Sequence, residues 1–251
     1  MARLPKSISL KSTLLSIALL GIGVEAIAQL TDIDTVGFQL RLSSQASLLT
    51  GNVDRLLLMP AAEIAVVRQT WGVKTSNTYQ YGTFAKRKTE DDIVSRNFIY
   101  LFPKSFFYPY VMLWLERNFR RGIDFRHQEG IGASYVLFTE ESYRLKLSLT
   151  LTRENSTFKT GHSLATTRLT ARLLGKHVLF DGNLRLRYEL WIQPSLEASK
   201  NVRAHIDGVF ETPLSKHLSL LASLNFTRES VVLPGIREND ALVLFGVSLL
   251  Y

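Results

Sequence analysis

Residues 144–152 read Arg144-Leu145-Lys146-Leu147-Ser148-Leu149-Thr150-Leu151-Thr152, leucine and polar residue in strict alternation. A helix turns about 100° per residue and would scatter these leucines around its axis, whereas an extended strand puts every one on the same face. The same period of two returns in Leu184, Leu186, Tyr188, Leu190 and Ile192, set between Asn183, Arg185, Arg187, Glu189 and Trp191. It returns again in Leu218, Leu220, Ala222, Leu224 and Phe226, where only Leu221 breaks the polar series of Ser219, Ser223, Asn225 and Thr227.

Worked outward from these stretches, the pattern predicts twelve strands, near residues 36–49, 54–67, 71–84, 93–102, 106–119, 128–138, 143–153, 166–174, 179–192, 202–211, 218–227 and 241–251. Most match the roughly nine to eleven residues that a tilted strand needs to cross a bilayer. Short turns are expected at Gln69–Thr70, Pro103–Ser105, Glu140–Glu141, Gly175–Lys176 and Pro213–Ser215, and longer polar loops at 85–92, 120–127, 154–165, 193–200 and 228–240. Thr50-Gly51-Asn52-Val53 is a short connection on the long-loop side, with Gly51 suited to a hairpin position of positive φ. Short turns on one side and long loops on the other is the arrangement of bacterial barrels, with the short turns periplasmic. The expected fold is therefore all-β, a closed antiparallel transmembrane β-barrel of about twelve strands with both ends of the chain periplasmic. The competing fold is a soluble, secreted β-sandwich, which also alternates but turns its apolar face inward and uses strands nearer five or six residues.

The start of the chain reads as an address. Arg3, Lys6 and Lys11 precede the apolar run 14–24, LLSIALLGIGV, and Ala26-Ile27-Ala28 supplies a small-x-small site. This predicts a signal peptide over residues 1–28, cleaved after Ala28, and a barrel over 29–251. A membrane anchor is the other reading of that run, which is short for a spanning helix. There is no cysteine, and mean hydropathy is +0.06, a balance that suits a barrel with one face to lipid and one to a polar lumen. The net charge of +8 falls to +6 without the leader's Arg3, Lys6, Lys11 and Glu25. The basic residues are spread over many strands and not gathered in one patch, which argues against nucleic acid.

At the other end Ala241, Val243, Phe245, Val247, Leu249 and Tyr251 share a face. Gly246, Val247, Leu249 and Tyr251 resemble the terminal-strand signal read by the barrel assembly machinery, with a departure at Leu244, where a polar residue is usual. Closure of this strand on the first would remove a long apolar edge. The aromatics Phe98, Tyr100, Phe102, Phe106, Phe107, Tyr108 and Tyr110 cluster about Pro103. They are expected to form an interfacial girdle, with a buried aromatic core as the alternative.

Three segments carry a family resemblance: Thr50-Gly51-Asn52; then Glu116 and Arg117 ahead of a loop with Asp124 and Arg126; then Gly130, Gly132 and Tyr135. The chain resembles the domain-of-unknown-function family of salt-induced outer-membrane proteins. The resemblance implies an outer-membrane barrel and supplies no catalytic residues. Physically, Gly130 and Gly132 would leave inward space for another side chain, and Glu116 and Arg126 would meet inside or at the rim.

If the leucine faces meet lipid, ten basic residues point inward: Arg41, Arg55, Lys74, Arg144, Lys146, Arg168, Arg172, Arg185, Arg187 and Arg203. Glu63, Glu116, Glu189, Asp207 and Glu211 join them, with His205. Two roles follow: a narrow channel for small anionic solutes, or a structural barrel filled by ion pairs. A barrel hydrolase is the rival class, on His162-Ser163 with Glu154 and Asn155, although the lipase-like spacing is missing. His127, His177, His205 and His217 show no metal-ligand spacing, and no cofactor motif is present. The expected partners are outer-membrane lipid, the assembly machinery and lipopolysaccharide phosphates met by Lys86, Arg87, Lys88, Arg120 and Arg121.

Overall fold

The computed structural model describes residues 37–49 and 54–251, and in it the chain is a closed antiparallel barrel of twelve strands. They are β1 (Phe38–Leu49), β2 (Arg55–Val67), β3 (Trp71–Phe84), β4 (Arg87–Leu101), β5 (Phe107–Asn118), β6 (Ile123–Thr139), β7 (Tyr143–Phe158), β8 (Ser163–Leu179), β9 (Leu184–Pro194), β10 (Val202–Pro213), β11 (Leu218–Glu229) and β12 (Asn239–Leu250). Each strand pairs with its sequence neighbours, and β12 pairs with β1, so no edge is left. The last rung joins Leu40 and Tyr251, which exchange both backbone hydrogen bonds at 3.0 and 2.9 Å. An even strand count brings both termini to one end, called here the terminus end; the other is the far end. The signal peptide, its cleavage site and Thr50, Gly51 and Asn52 lie outside the described residues.

The polarity of the barrel is inverted relative to a sandwich. In β7, exposed Leu147, Leu149 and Leu151 alternate with buried Lys146, Ser148, Thr150 and Thr152. Ile131, Leu220, Leu224, Val243, Phe245 and Val247 are likewise exposed, forming an outer apolar surface of the kind that faces lipid. The soluble sandwich is thereby ruled out. Two of the sequence's irregularities, Leu221 and Leu244, are inward residues buried among the polar ones.

Several boundaries differ from expectation. The long loops of the far end are mostly strand. The expected loop at 85–92 is a two-residue hairpin at Ala85 and Lys86, both at positive φ (47° and 63°), in place of the Asn-Gly pair that usually announces such a turn. Residues 119–122 and 159–162 are tight connections, and only 195–201 and 230–238 remain longer loops. No turn forms at Gly175–Lys176. These residues pair with Tyr188 and Arg187 inside the sheet, and the chain reverses at 180–183. The Tyr188 ring lies over Gly175, where a Cβ would sit 2.1 Å from Cζ and push the ring aside. β6 and β8 have 17 residues each, more than the bilayer requires, so they extend beyond it.

The aromatic cluster divides between two faces. Phe102, Phe106 and Phe107 point outward and, with Trp71, Phe138, Tyr143 and Tyr251, ring the terminus end as an interfacial girdle would. Phe98, Tyr100, Tyr108 and Tyr110 point inward and pack with Met112, Trp114 and Trp191.

Gly246 sits at the closing seam, where a Cβ would meet Ser44 O at 2.1 Å and Gln45 Cα at 2.6 Å. Both are backbone atoms of β1 and cannot step aside. Gly246→Ala is therefore expected to cost about 1–3 kcal/mol and to lower the temperature at which the folded band is lost on heat-modifiability gels. Gly208→Ala, where the nearest atom is 4.0 Å away, is the control and should change stability by less than about 0.5 kcal/mol.

Candidate functional site: a cross-braced lumen

In a ring of twelve strands, partners five or six strands apart face each other across the lumen, and several ion pairs make that crossing. Near the far end Arg126 of β6 forks onto Glu229 of β11, Nη1 to Oε1 at 2.9 Å and Nη2 to Oε2 at 3.1 Å. Nη1 also reaches Glu116 at 3.3 Å, so the pair expected from the sequence does form. Glu154 accepts from Arg168 Nε at 2.9 Å and from Arg203 Nη1 at 2.7 Å. Arg121 donates to Asp240 at 2.6 Å. All of these but Asp240 are buried, and Asp240 is shared with Arg120 at 3.3 Å.

At mid-height Arg96 of β4 reaches Glu189 of β9 at 3.3 Å. Its guanidinium lies 4.4 Å from the ring centroid of Trp114, which packs edge-on against Trp191 at 5.7 Å. His205 stacks on Trp191 at 5.2 Å. Toward the terminus end Glu211 is shared by Arg41 at 2.9 Å, Arg187 at 3.4 Å and Arg185 at 3.6 Å, and accepts from Ser219 at 3.0 Å.

Beside these braces runs a cavity of about 380 Å³. From β1 to β3 it is lined by Arg41, Glu63 and Lys74 as well as by the small residues Ser43, Ala61, Ser76 and Thr78. Arg120 and Asp240 line it near the far end, Arg144 and Lys176 near the terminus end. Among the described residues, eleven basic side chains stand around its wall against seven acidic ones, with His205.

Of the inward residues read from the sequence, Arg41, Glu63, Lys74, Glu116, Arg144, Lys146, Arg172, Arg187, Glu189, Arg203, His205 and Asp207 line this cavity. Arg168, Arg185 and Glu211 are held in the ion-pair networks behind it. Arg55 stands at the far rim, 3.3 Å from Glu90. Of the motif residues, Gly130 and Gly132 do make inward room: a Cβ on Gly132 would be 2.9 Å from Cζ of Tyr110. Arg117 pairs with Asp91 at 2.9 Å, Tyr135 meets Phe106 edge-on at 5.8 Å, and Asp124 is exposed. The hydrolase residues do not converge, since Glu154 is held by arginines while neighbouring Asn155 bonds His127 at 3.1 Å.

The sequence reading did not place Arg96, Arg121, Glu90, Asp92, Glu154, Glu229 and Asp240 inside the barrel, and set Arg121 among the lipopolysaccharide contacts and Glu154 among the hydrolase candidates. Apart from Arg96, each lay in a stretch read as loop. Glu154 continues the parity of Lys146, Ser148, Thr150 and Thr152, a signal sufficient to extend the strand. With these acids included the lumen is less one-sidedly basic than ten against five.

Two measurements test this geometry. Arg126→Met or Glu229→Gln alone leaves a buried charge unmatched and should cost about 3–5 kcal/mol; the double variant should cost less than the sum. Independent effects in equilibrium unfolding would contradict the brace. In the β9–β10 loop, Glu197 accepts from the Thr166 hydroxyl and the Thr167 N–H, which lowers its pKa from the ordinary 4.5 to about 2. A lowered carboxylate pKa stabilises the fold above the ordinary value, and that contribution is lost as pH falls toward 2. Pepsin should accordingly begin to cut 195–201 between pH 4.5 and 2, and Glu197→Gln should weaken this dependence.

Three solved structures are similar to the barrel. The NanC porin aligns with a TM-score of 0.54 at 7% identity, over 84% of this chain and 98% of its own. The translocator domain of the autotransporter NalP from Neisseria meningitidis aligns at 0.48 and 13% identity, over 86% and 88%. A KdgM porin aligns at 0.44 and 9%, over 83% and 98%. At such identities the NanC likeness bears on fold, an outer-membrane barrel, and not on activity. No curated protein matches the sequence. The family model described as "Protein of unknown function, DUF481" matches residues 46–251, nearly the whole described barrel, and the chain belongs to that family.

Proposed function

We propose that this chain is an outer-membrane channel that admits small anionic solutes along the cavity beside the braces. The observation that carries the reading is a cavity lined by residues of both ends, with an excess of basic side chains among the described residues. Rings of fixed charge select ions by sign at such a bore. In this reading the terminus end is periplasmic and the chain arrives there after cleavage behind Ala28. The assembly machinery reads the last strand through Gly246, Val247, Leu249 and Tyr251.

A second reading is a structural barrel, favoured by the braces that cross from β4 to β9 and from β6 to β11. At the far rim Lys86, Arg87 and Lys88 are the proposed lipopolysaccharide contacts. Arg120 and Arg121 are withdrawn from that set because both pair with Asp240 and line the cavity. A hydrolase is not proposed.

Planar-bilayer recording under a salt gradient separates the readings. The channel predicts small, stable conductance steps and a reversal potential of anion selectivity. Lys74→Gln with Arg120→Gln, which removes one cation toward each end, should move that potential toward cations. Folded protein that never conducts would leave the structural barrel.

A further inference from the structure

The outer wall is not apolar throughout. Between β3 and β4, Thr75 pairs with Asn97 and Asn77 with Ser95, and the flanking outward rungs are Val73 with Ile99 and Tyr79 with Ile93. The parity is outward, since the alternate residues Lys74, Ser76, Val94 and Arg96 line the lumen while Tyr79, Ile93 and Ile99 are exposed. Strands rise about 3.3 Å per residue and tilt by about 40°, so Thr75 and Asn77 stand roughly 10 and 15 Å above Trp71 of the girdle, within an apolar band about 25 Å tall. At similar depth on other walls Leu149, Leu224 and Phe245 are exposed and apolar.

Hydrocarbon offers no hydrogen bonds, so polar groups at this depth need protein partners. The four side chains meet part of that need themselves. Thr75 Oγ1 donates to Asn97 Oδ1 at 2.8 Å, Asn77 Nδ2 to Thr75 Oγ1 at 3.2 Å, and Asn97 Nδ2 to Ser95 Oγ at 3.0 Å. An amide has two N–H donors and an oxygen acceptor. Asn77, itself exposed, therefore keeps an N–H and its carbonyl oxygen without a partner among the described residues. Ser95 accepts there and keeps its own hydrogen to give. Ala62 lies directly beside Asn77 on β2, and small residues let two walls approach closely in a membrane.

We propose that this patch is the contact face of a two-fold homodimer, in which Asn77 and Ser95 of one copy bond the same patch of the other. The physics selects a second copy as the occupant. All copies of a barrel enter the membrane in one orientation, so a two-fold axis along the bilayer normal brings patch to patch at equal depth. Such a contact needs a surface complementary to itself. Amides and hydroxyls both donate and accept, and the four residues carry no charge that would repel its own image. The dimer stands whether or not the lumen conducts.

The test uses folded full barrels in phosphatidylcholine vesicles. The chain has no cysteine, so Ser199→Cys in the exposed β9–β10 loop takes a single donor or acceptor dye. Energy transfer between barrels, followed as lipid dilutes the protein, should give a monomer–dimer equilibrium. Asn77→Leu with Asn97→Leu should raise its dissociation constant about tenfold or more, and Leu149→Ala should leave it unchanged. If the double variant gives no folded band, Asn77→Leu alone takes its place with a weakening in the same direction. To locate the contact, Ala62→Cys or Leu113→Cys, one on each flank of the patch, should form a disulfide-linked dimer on oxidation with copper phenanthroline. Leu149→Cys, at similar depth on another wall, should not.

Single barrels at every lipid ratio, a dimer indifferent to the leucines, or a dimer that is crosslinked at neither flank or as readily at Leu149 would overturn the interface. In isolated outer membranes, crosslinking of Ala62→Cys to a different protein in place of its own copy would overturn the second copy as occupant.

Discussion

The pairing of Leu40 with Tyr251 is the rung on which the rest of this molecule depends. Before that rung forms, the sheet has two long edges with unpaired backbone groups and an outer face of leucine, valine and phenylalanine. Water tolerates neither arrangement well, and a bilayer does not tolerate an open edge at all. Once the rung forms, every strand has two neighbours, the apolar face is turned to lipid, and the charged face is enclosed. Gly246 marks how tight the seam is, since even one methyl group there would meet the backbone of β1.

Enclosure then sets the second requirement. Charges that faced water in the open sheet lie inside a closed wall, where each must find a partner. At the far end they find one across the lumen, and Arg126 with Glu229 ties opposite walls together. Toward the terminus end Arg41, Arg185 and Arg187 converge on Glu211.

Much of this was legible from alternation alone. Leu147, Leu149 and Leu151 announced one face, and the number of such runs announced closure and the common side of the termini. What alternation does not show is where a strand stops. A polar residue in a strand that has left the bilayer looks the same as a polar residue in a loop, so Glu154, Glu229 and Asp92 were read as loop. The Ala85–Lys86 reversal has no glycine or asparagine to mark it, whereas Gly175 is a glycine that marks a ring contact and not a turn. Facing also resolves the aromatics around Pro103, because parity sends Tyr108 and Tyr110 inward and Phe107 outward. The partners of each lumenal charge lie up to 170 positions apart in sequence, as Arg41 and Glu211 do, a distance at which local pattern carries no information.

The placement of the three tryptophans gives the protein an optical asymmetry. Trp71 lies on the outer face in the terminus-end girdle, 44% exposed, while Trp114 and Trp191 are enclosed together beside Arg96 and His205. One indole therefore reports the polarity of the surrounding lipid, and two report the lumen. A quencher dissolved in the acyl chains and a quencher dissolved in water address different tryptophans, so the intrinsic emission of the unmodified chain distinguishes events outside the wall from events within it.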